Sequence, residues 1–69
     1  MPQGTVKKYM ADRGFGFIRP DGGGDDVFFH VKSLPMGTEP REGARVDFEM
    51  GSDPKTGKPQ ARNVRILRG

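Results

Sequence analysis

Two short runs, Phe15-Gly16-Phe17-Ile18 and Val27-Phe28-Phe29-His30-Val31, are apolar on both alternating faces, whereas Arg45 to Met50 alternates cleanly between charged and apolar residues. Successive side chains of a strand point to opposite faces. Gly16 and Ile18 therefore share one face and Phe15 and Phe17 the other, while Val27 and Phe29 oppose Phe28 and His30. An antiparallel hairpin closed by Asp21 to Asp26 in symmetric register sets Phe17 opposite Phe28 and Phe15 opposite His30. The pattern predicts a flat two-by-two block of rings. A strand needs one apolar face to fold, so the second face is surplus.

No segment carries apolar residues at spacings of three and four over a long stretch, and eleven glycines and six prolines punctuate the chain. This predicts strands over roughly 4–10, 15–19, 26–31, 44–51 and 60–67, with no helix beyond a single turn at Ser33 and Leu34. Asp12-Arg13-Gly14, Asp21 to Asp25, Pro35 to Gly43 and Ser52 to Pro59 are the connections. In the fourth strand Val46, Phe48 and Met50 are expected inward, and Arg45, Asp47 and Glu49 outward. The fifth offers Val64 and Ile66 to the core and Arg62, Asn63 and Arg65 to solvent. Phe29 also belongs inside. Five short strands must close on themselves to hide their edges, so the expected fold is all-β, a small five-stranded antiparallel barrel.

Length sharpens the meaning of the second aromatic face. The 69 residues make one domain over 1–69, and a chain of this size buries only about 60% of the surface it exposes when unfolded. There is no cysteine to staple it, which also fits a reducing compartment. Leaving three phenylalanines outside such a core is costly unless they bind something. An apolar run of about 18 residues and a basic-then-apolar leader are both missing, so a soluble cytoplasmic protein without a membrane partner is expected.

The net charge of +3 hides a strong polarity along the chain. Residues 1–19 carry Lys7, Lys8, Arg13 and Arg19 against Asp12; residues 20–53 hold eight acids against Lys32, Arg41 and Arg45; from Pro54 on, Lys55, Lys58, Arg62, Arg65 and Arg68 face no acid. Charge alone is accounted for by a solvated surface. Beside exposed rings, however, basic ends favour a polyanion. An unpaired base is a flat π-face, and a ring that stacks on it contributes about 1–3 kcal/mol. Lysine and arginine at the rim hold phosphates without reading sequence. Gly14 and Gly16 suit a tight turn and a close approach.

Catalysis and metal binding find no support. Gly51 to Lys58 ends in Gly-Lys, but the spacing is one residue too long for a phosphate loop and Pro59 follows. Asp21 to Asp26 lacks the twelve-residue calcium loop and its terminal glutamate. His30 has no second histidine or cysteine to share a metal, so stacking is its expected role. A non-enzyme without cofactor, metal or small-molecule substrate is expected, as a monomer.

The sequence Gly4-Thr5-Val6-Lys7, the stretch from Ala11 through Asp12-Arg13-Gly14 to Ile18, Asp26 to His30, Glu42-Gly43 and Pro59 to Val64 stand in the order and spacing of bacterial cold-shock proteins. The chain resembles that family, the single-domain cold-shock members of the OB-fold barrels, over essentially its whole length. The resemblance implies a barrel that binds single-stranded RNA or DNA on strands one to three and acts as an RNA chaperone, often in adaptation to cold or other stress. It implies Phe15, Phe17, Phe28 and His30 as stackers, assisted by Tyr9, Lys7 and Arg13; the charge pattern, not the resemblance, adds Lys8 and Lys58 to the basic fringe. Arg13 to Ile18 also fits the opening of the RNA recognition motif signature, but that domain needs two helices and places its other aromatic motif upstream.

Three departures from the family pattern stand out. Lys8 occupies a position that is usually tryptophan, Val31 one that is usually aromatic, and the loop from Leu34 to Arg41 carries no ring. Weaker and more salt-sensitive binding follows. A depleted platform could alternatively dock a protein partner, with nucleic acid secondary; the basic fringe of Lys7, Lys8, Arg13 and Lys58 argues for nucleic acid.

Overall fold

A computed structural model describes residues 2–67, so Arg68 of the basic tail lies outside the described residues. The strands are β1 (Gln3–Met10), β2 (Phe15–Pro20), β3 (Val27–His30), β4 (Arg45–Ser52) and β5 (Pro59–Ile66), with one 3-10 turn at Val31–Ser33 after β3. They close into a barrel in the order β1-β2-β3-β5-β4. The expected all-β barrel is thus present, with one correction: β3 and β5 run parallel, and the other four junctions are antiparallel. An odd number of strands cannot alternate direction all the way round a ring. One junction must be parallel.

The core is formed by Val6, Ile18, Val27, Phe29, Leu34, Val46, Phe48, Ala61 and Val64. Phe29 and Phe48 are both inside, as alternation requires. Burying each large side chain contributes about 1.5–3 kcal/mol relative to exposure. Leu34 reaches the core because the 3-10 turn ends there, its amide donating to the Val31 carbonyl at 3.1 Å. No helix among the described residues is long and apolar enough to cross a membrane.

Two bulges break the alternation that sequence reasoning assumes. In β1 the register shifts between Val6, opposite Ile18, and Lys8, opposite Phe17, so Lys7 is an extra residue. Lys7 and Lys8 are both exposed as a result, and Tyr9 falls back to the inner side. In β5 the shift lies opposite Phe48, where three steps from Arg65 to Arg62 match two from Asp47 to Glu49. Asn63 has φ 49° there, the left-handed conformation that asparagine tolerates better than most residues. Arg62 and Asn63 both point to solvent, and Ala61 and Val64 both stay in the core.

Two expectations for β4 are corrected. Met50 keeps the parity of the inner face, opposite Ala61, yet it is 54% exposed. The partner β1 runs out at Pro2, whose carbonyl accepts from the Phe48 amide at 3.0 Å, so beyond Phe48 the barrel wall has ended on that side. Asp47 keeps outward parity but is buried, because Arg65 lies across it with Nε and Nη2 at 3.4 Å from its two carboxylate oxygens.

Arg45 fastens the barrel bottom. Its guanidinium donates to Asp21 Oδ1 at 2.6 Å, to Asp21 Oδ2 at 2.5 Å and to Thr5 Oγ1 at 3.0 Å, joining β4 to the end of β2 and to β1. The hydrogen bonds from Arg45 hold the Asp21 carboxyl below its ordinary range.

Candidate nucleic-acid interface

The outer face of β2 and β3 carries the rings in the expected register. Phe15 pairs with His30 and Phe17 with Phe28, while Gly16 pairs with Phe29 and Ile18 with Val27 on the inner side. Phe15 and Phe28 have centroids 5.4 Å apart, Phe17 and Phe28 6.0 Å, and Phe15 and Phe17 6.3 Å. The block is not flat, and this corrects the expectation. Interplanar angles of 38°, 73° and 89° make it a faceted cluster, because the ring quadrupole favours edge-to-face contact over a sheet of coplanar neighbours. All three rings and His30 are half-buried, so each still offers surface to solvent.

Gly16 lets this face lie close to the barrel. A Cβ there would be driven into the Lys8 carbonyl oxygen and come 2.9 Å from the Phe29 ring. The tight turn before β2 is made by Gly14, at φ 76°. Its amide donates to the Met10 carbonyl at 2.8 Å, and its carbonyl accepts from Val31 at 2.8 Å. His30 is fixed from below. Its Nδ1 accepts from the Lys32 amide at 3.1 Å, and its carbonyl accepts from Ser33 Oγ at 2.7 Å.

Of the remaining residues singled out in the sequence, Lys8 stands opposite Phe17 and is exposed beside the rings. Arg13 is exposed in the turn between β1 and β2. Lys58 lines an open groove of about 490 Å³ whose walls also include Phe17, Phe28, Asp25, Asp53 and Pro59. The loop holding Lys58 is shaped by Asp53, whose Oδ1 accepts from the Lys55 amide at 2.7 Å and whose carbonyl accepts from Gly57 at 2.7 Å. Turn chemistry accounts for its Gly-Lys ending.

Two members of the expected set sit elsewhere. Tyr9 does not join the platform: the bulge at Lys7 turns it inward, where its ring lies on Phe29 at 6.1 Å with 14° between planes. Lys7 is not a free cation of the fringe, since its Nζ binds Asp26 Oδ2 at 2.9 Å and ties β1 to the loop between β2 and β3. Conversely, two residues join the site that sequence reasoning passed over. Met10 stands opposite Phe15, and Gln60 beside Phe28 across the parallel junction. The first follows from the bulge and the second from ring closure, so neither is visible in a single strand's pattern.

No group of three or more His, Cys, Asp or Glu side chains able to hold a metal occurs among the described residues. The arrangement is an apolar, faceted surface with cations at its margin, suited to holding flat π-systems linked by negative charge.

Comparison with known proteins agrees with this geometry. Residues 2–67 match the family described as the 'Cold-shock' DNA-binding domain. The chain is 50% identical over 70 residues to "Probable cold shock protein A" of Mycobacterium tuberculosis, covering 97% of this chain and 100% of that one. It is 46% identical over 69 residues to "Cold shock-like protein CspA" of Stigmatella aurantiaca, covering 97% and 98%. Among solved structures, "drosophila Unr CSD456" superposes with a TM-score of 0.80 at 25% identity, over 97% of this chain and 26% of that longer one. Barrel, ring face and whole-length likeness converge, and the chain belongs to the cold-shock domain family, which binds nucleic acids.

Proposed function

We propose that this protein binds single-stranded RNA or DNA by stacking unpaired bases on Phe15, Phe17, Phe28 and His30, with Lys8, Arg13 and Lys58 holding phosphates. The observation that carries this reading is the contiguous, half-exposed cluster of three phenylalanine rings on the outer face of β2 and β3. Each base laid on such a ring gains about 1–3 kcal/mol. A duplex keeps its bases stacked inside and gains nothing from the rings, so the surface selects single strands. Stacking reads little sequence, which suits an RNA chaperone that keeps transcripts unpaired, working as a cytoplasmic monomer without catalysis.

Binding is weaker and more salt-dependent than is usual in the family. Lys8 and Val31 and the ring-free loop from Leu34 to Arg41 supply no stacking at three places, and Tyr9, turned inward on Phe29, does not replace them. The test is fluorescence anisotropy of a labelled pyrimidine-rich heptanucleotide at two salt concentrations, beside the same sequence as a duplex. Saturable single-strand binding that weakens with salt is expected. Equal affinity for the duplex would overturn the proposal.

A further inference from the structure

The ring face does not end at β3. Across the parallel junction Phe28 is flanked by Gln60 and Phe29 by Ala61, and one step further His30 and Arg62 line the same open groove of about 390 Å³ with Lys32, Ser33, Gln60 and Asn63. This groove adjoins another of about 530 Å³ that shares Lys32, Ser33 and Asn63 and adds Arg65. Neither lining contains a carboxylate. The groove on the opposite flank of the rings, around Lys58, is lined by Asp25, Asp26 and Asp53.

The cations of this corner are held ready. Arg62 stands opposite Glu49 across the β4–β5 ladder, the usual place for a cross-strand ion pair. Instead the bulge brings Asn63 to Glu49, and the Asn63 side-chain amide donates to Oε2 at 2.5 Å. Arg62 has no carboxylate within ion-pair distance among the described residues, and neither has Lys32. The Arg62 stem occupies space over Gly51, with Cγ 2.9 Å from where a Cβ at that glycine would lie. A glycine thus clears a bed for the arginine, and the hydrogen bonds of Lys32 and Ser33 to His30 fix the other wall.

We propose that Lys32 and Arg62 form a phosphate track that carries the backbone of the bound single strand off the rings at His30 and over the β3–β5 junction. The track rests on the single-strand reading above and extends its footprint beyond the platform. It adds electrostatic affinity without base selection, and only a strand long enough to pass His30 uses it.

The test compares wild type with the Lys32→Gln/Arg62→Gln double variant, using pyrimidine strands of about five and about twelve nucleotides, within the range of OB-fold site sizes. Both side chains are exposed, and an unchanged melting temperature verifies folding. With the long strand, the slope of log affinity against log salt is expected to become shallower by about 1.4, two lost phosphates at about 0.7 each for single strands. With the short strand it is expected to stay as in wild type. An unchanged slope for the long strand overturns the track while leaving the platform intact. Equal losses for both lengths also overturn it, placing these cations within the platform's own field. Failure of wild type itself to prefer single strands removes the functional reading along with the track.

Discussion

Tyr9 lies nearly parallel to Phe29, with 6.1 Å between ring centroids and 14° between ring planes, on the inner side of the surface whose outer side carries the exposed rings. Its aromaticity therefore serves the barrel. Tyr9→Ala is expected to lower the unfolding free energy by about 2 kcal/mol, roughly half the cost of truncating a fully buried aromatic. Oligonucleotide affinity should barely move. Urea denaturation and anisotropy on the same variant separate the two effects, and lost affinity at unchanged stability would return Tyr9 to the platform.

The three outer phenylalanines touch one another, so they do not act independently. Phe17→Ala and Phe28→Ala are each expected to weaken single-strand binding by about 1–3 kcal/mol through lost stacking. The double variant should lose less than the sum, because each ring also supports its neighbour edge-on at 6.0 Å. Strict additivity in an anisotropy double-mutant cycle would contradict this.

Lys8 faces Phe17 across the β1–β2 ladder, where a ring would extend the stacking surface. Lys8→Trp is expected to tighten single-strand binding by about 1–3 kcal/mol and to reduce the magnitude of the salt slope by about 0.7. A variant that binds no better would show that the missing ring does not explain weak binding.

Acid should weaken the Arg45 clip. The hydrogen bonds from Arg45 hold the Asp21 carboxyl below the ordinary carboxylate range. A depressed folded-state value means that the unfolded chain takes up the proton first as pH falls. The stabilisation is therefore fully present above about pH 4 to 5 and is lost as pH drops through the folded value. Asp21→Asn should melt below wild type near neutral pH, with the gap closing in acid. A gap independent of pH would mean that the side chain's shape, not its charge, holds the clip.

Much of the ring face could be read from the chain because it depends on local facts. Phe15, Phe17, Phe28 and His30 lie on two strands joined by a short loop, and period-two alternation with a symmetric hairpin suffices to pair them. Tyr9, Met50 and Asp47 could not be placed in this way. Tyr9 depends on a bulge, Met50 on where β1 stops, and Asp47 on an arginine reaching over from β5. Bulges do leave a trace in the sequence. Val6-Lys7-Lys8-Tyr9 and Ala61-Arg62-Asn63-Val64 each insert two polar residues between inward positions, where simple alternation allows one. The parallel junction follows from counting the strands.

That junction divides the molecule in a way that the strand list conceals. The strands β1, β2 and β3 form one meander and β4 and β5 one hairpin, and two seams join these pieces, β1 with β4 and β3 with β5. Each residue pair of the parallel seam lies 32 positions apart, Phe28 with Gln60 and Phe29 with Ala61. The ring cluster belongs entirely to the meander, whereas the enclosure beneath it depends on contacts of long sequence separation, which form slowly. The recognition surface is thus built from contacts close in sequence, and the closure of the barrel from distant ones. Were β4 and β5 detached, β3 would present an open sheet edge beside the same phenylalanines, the kind of surface on which chains adhere to one another.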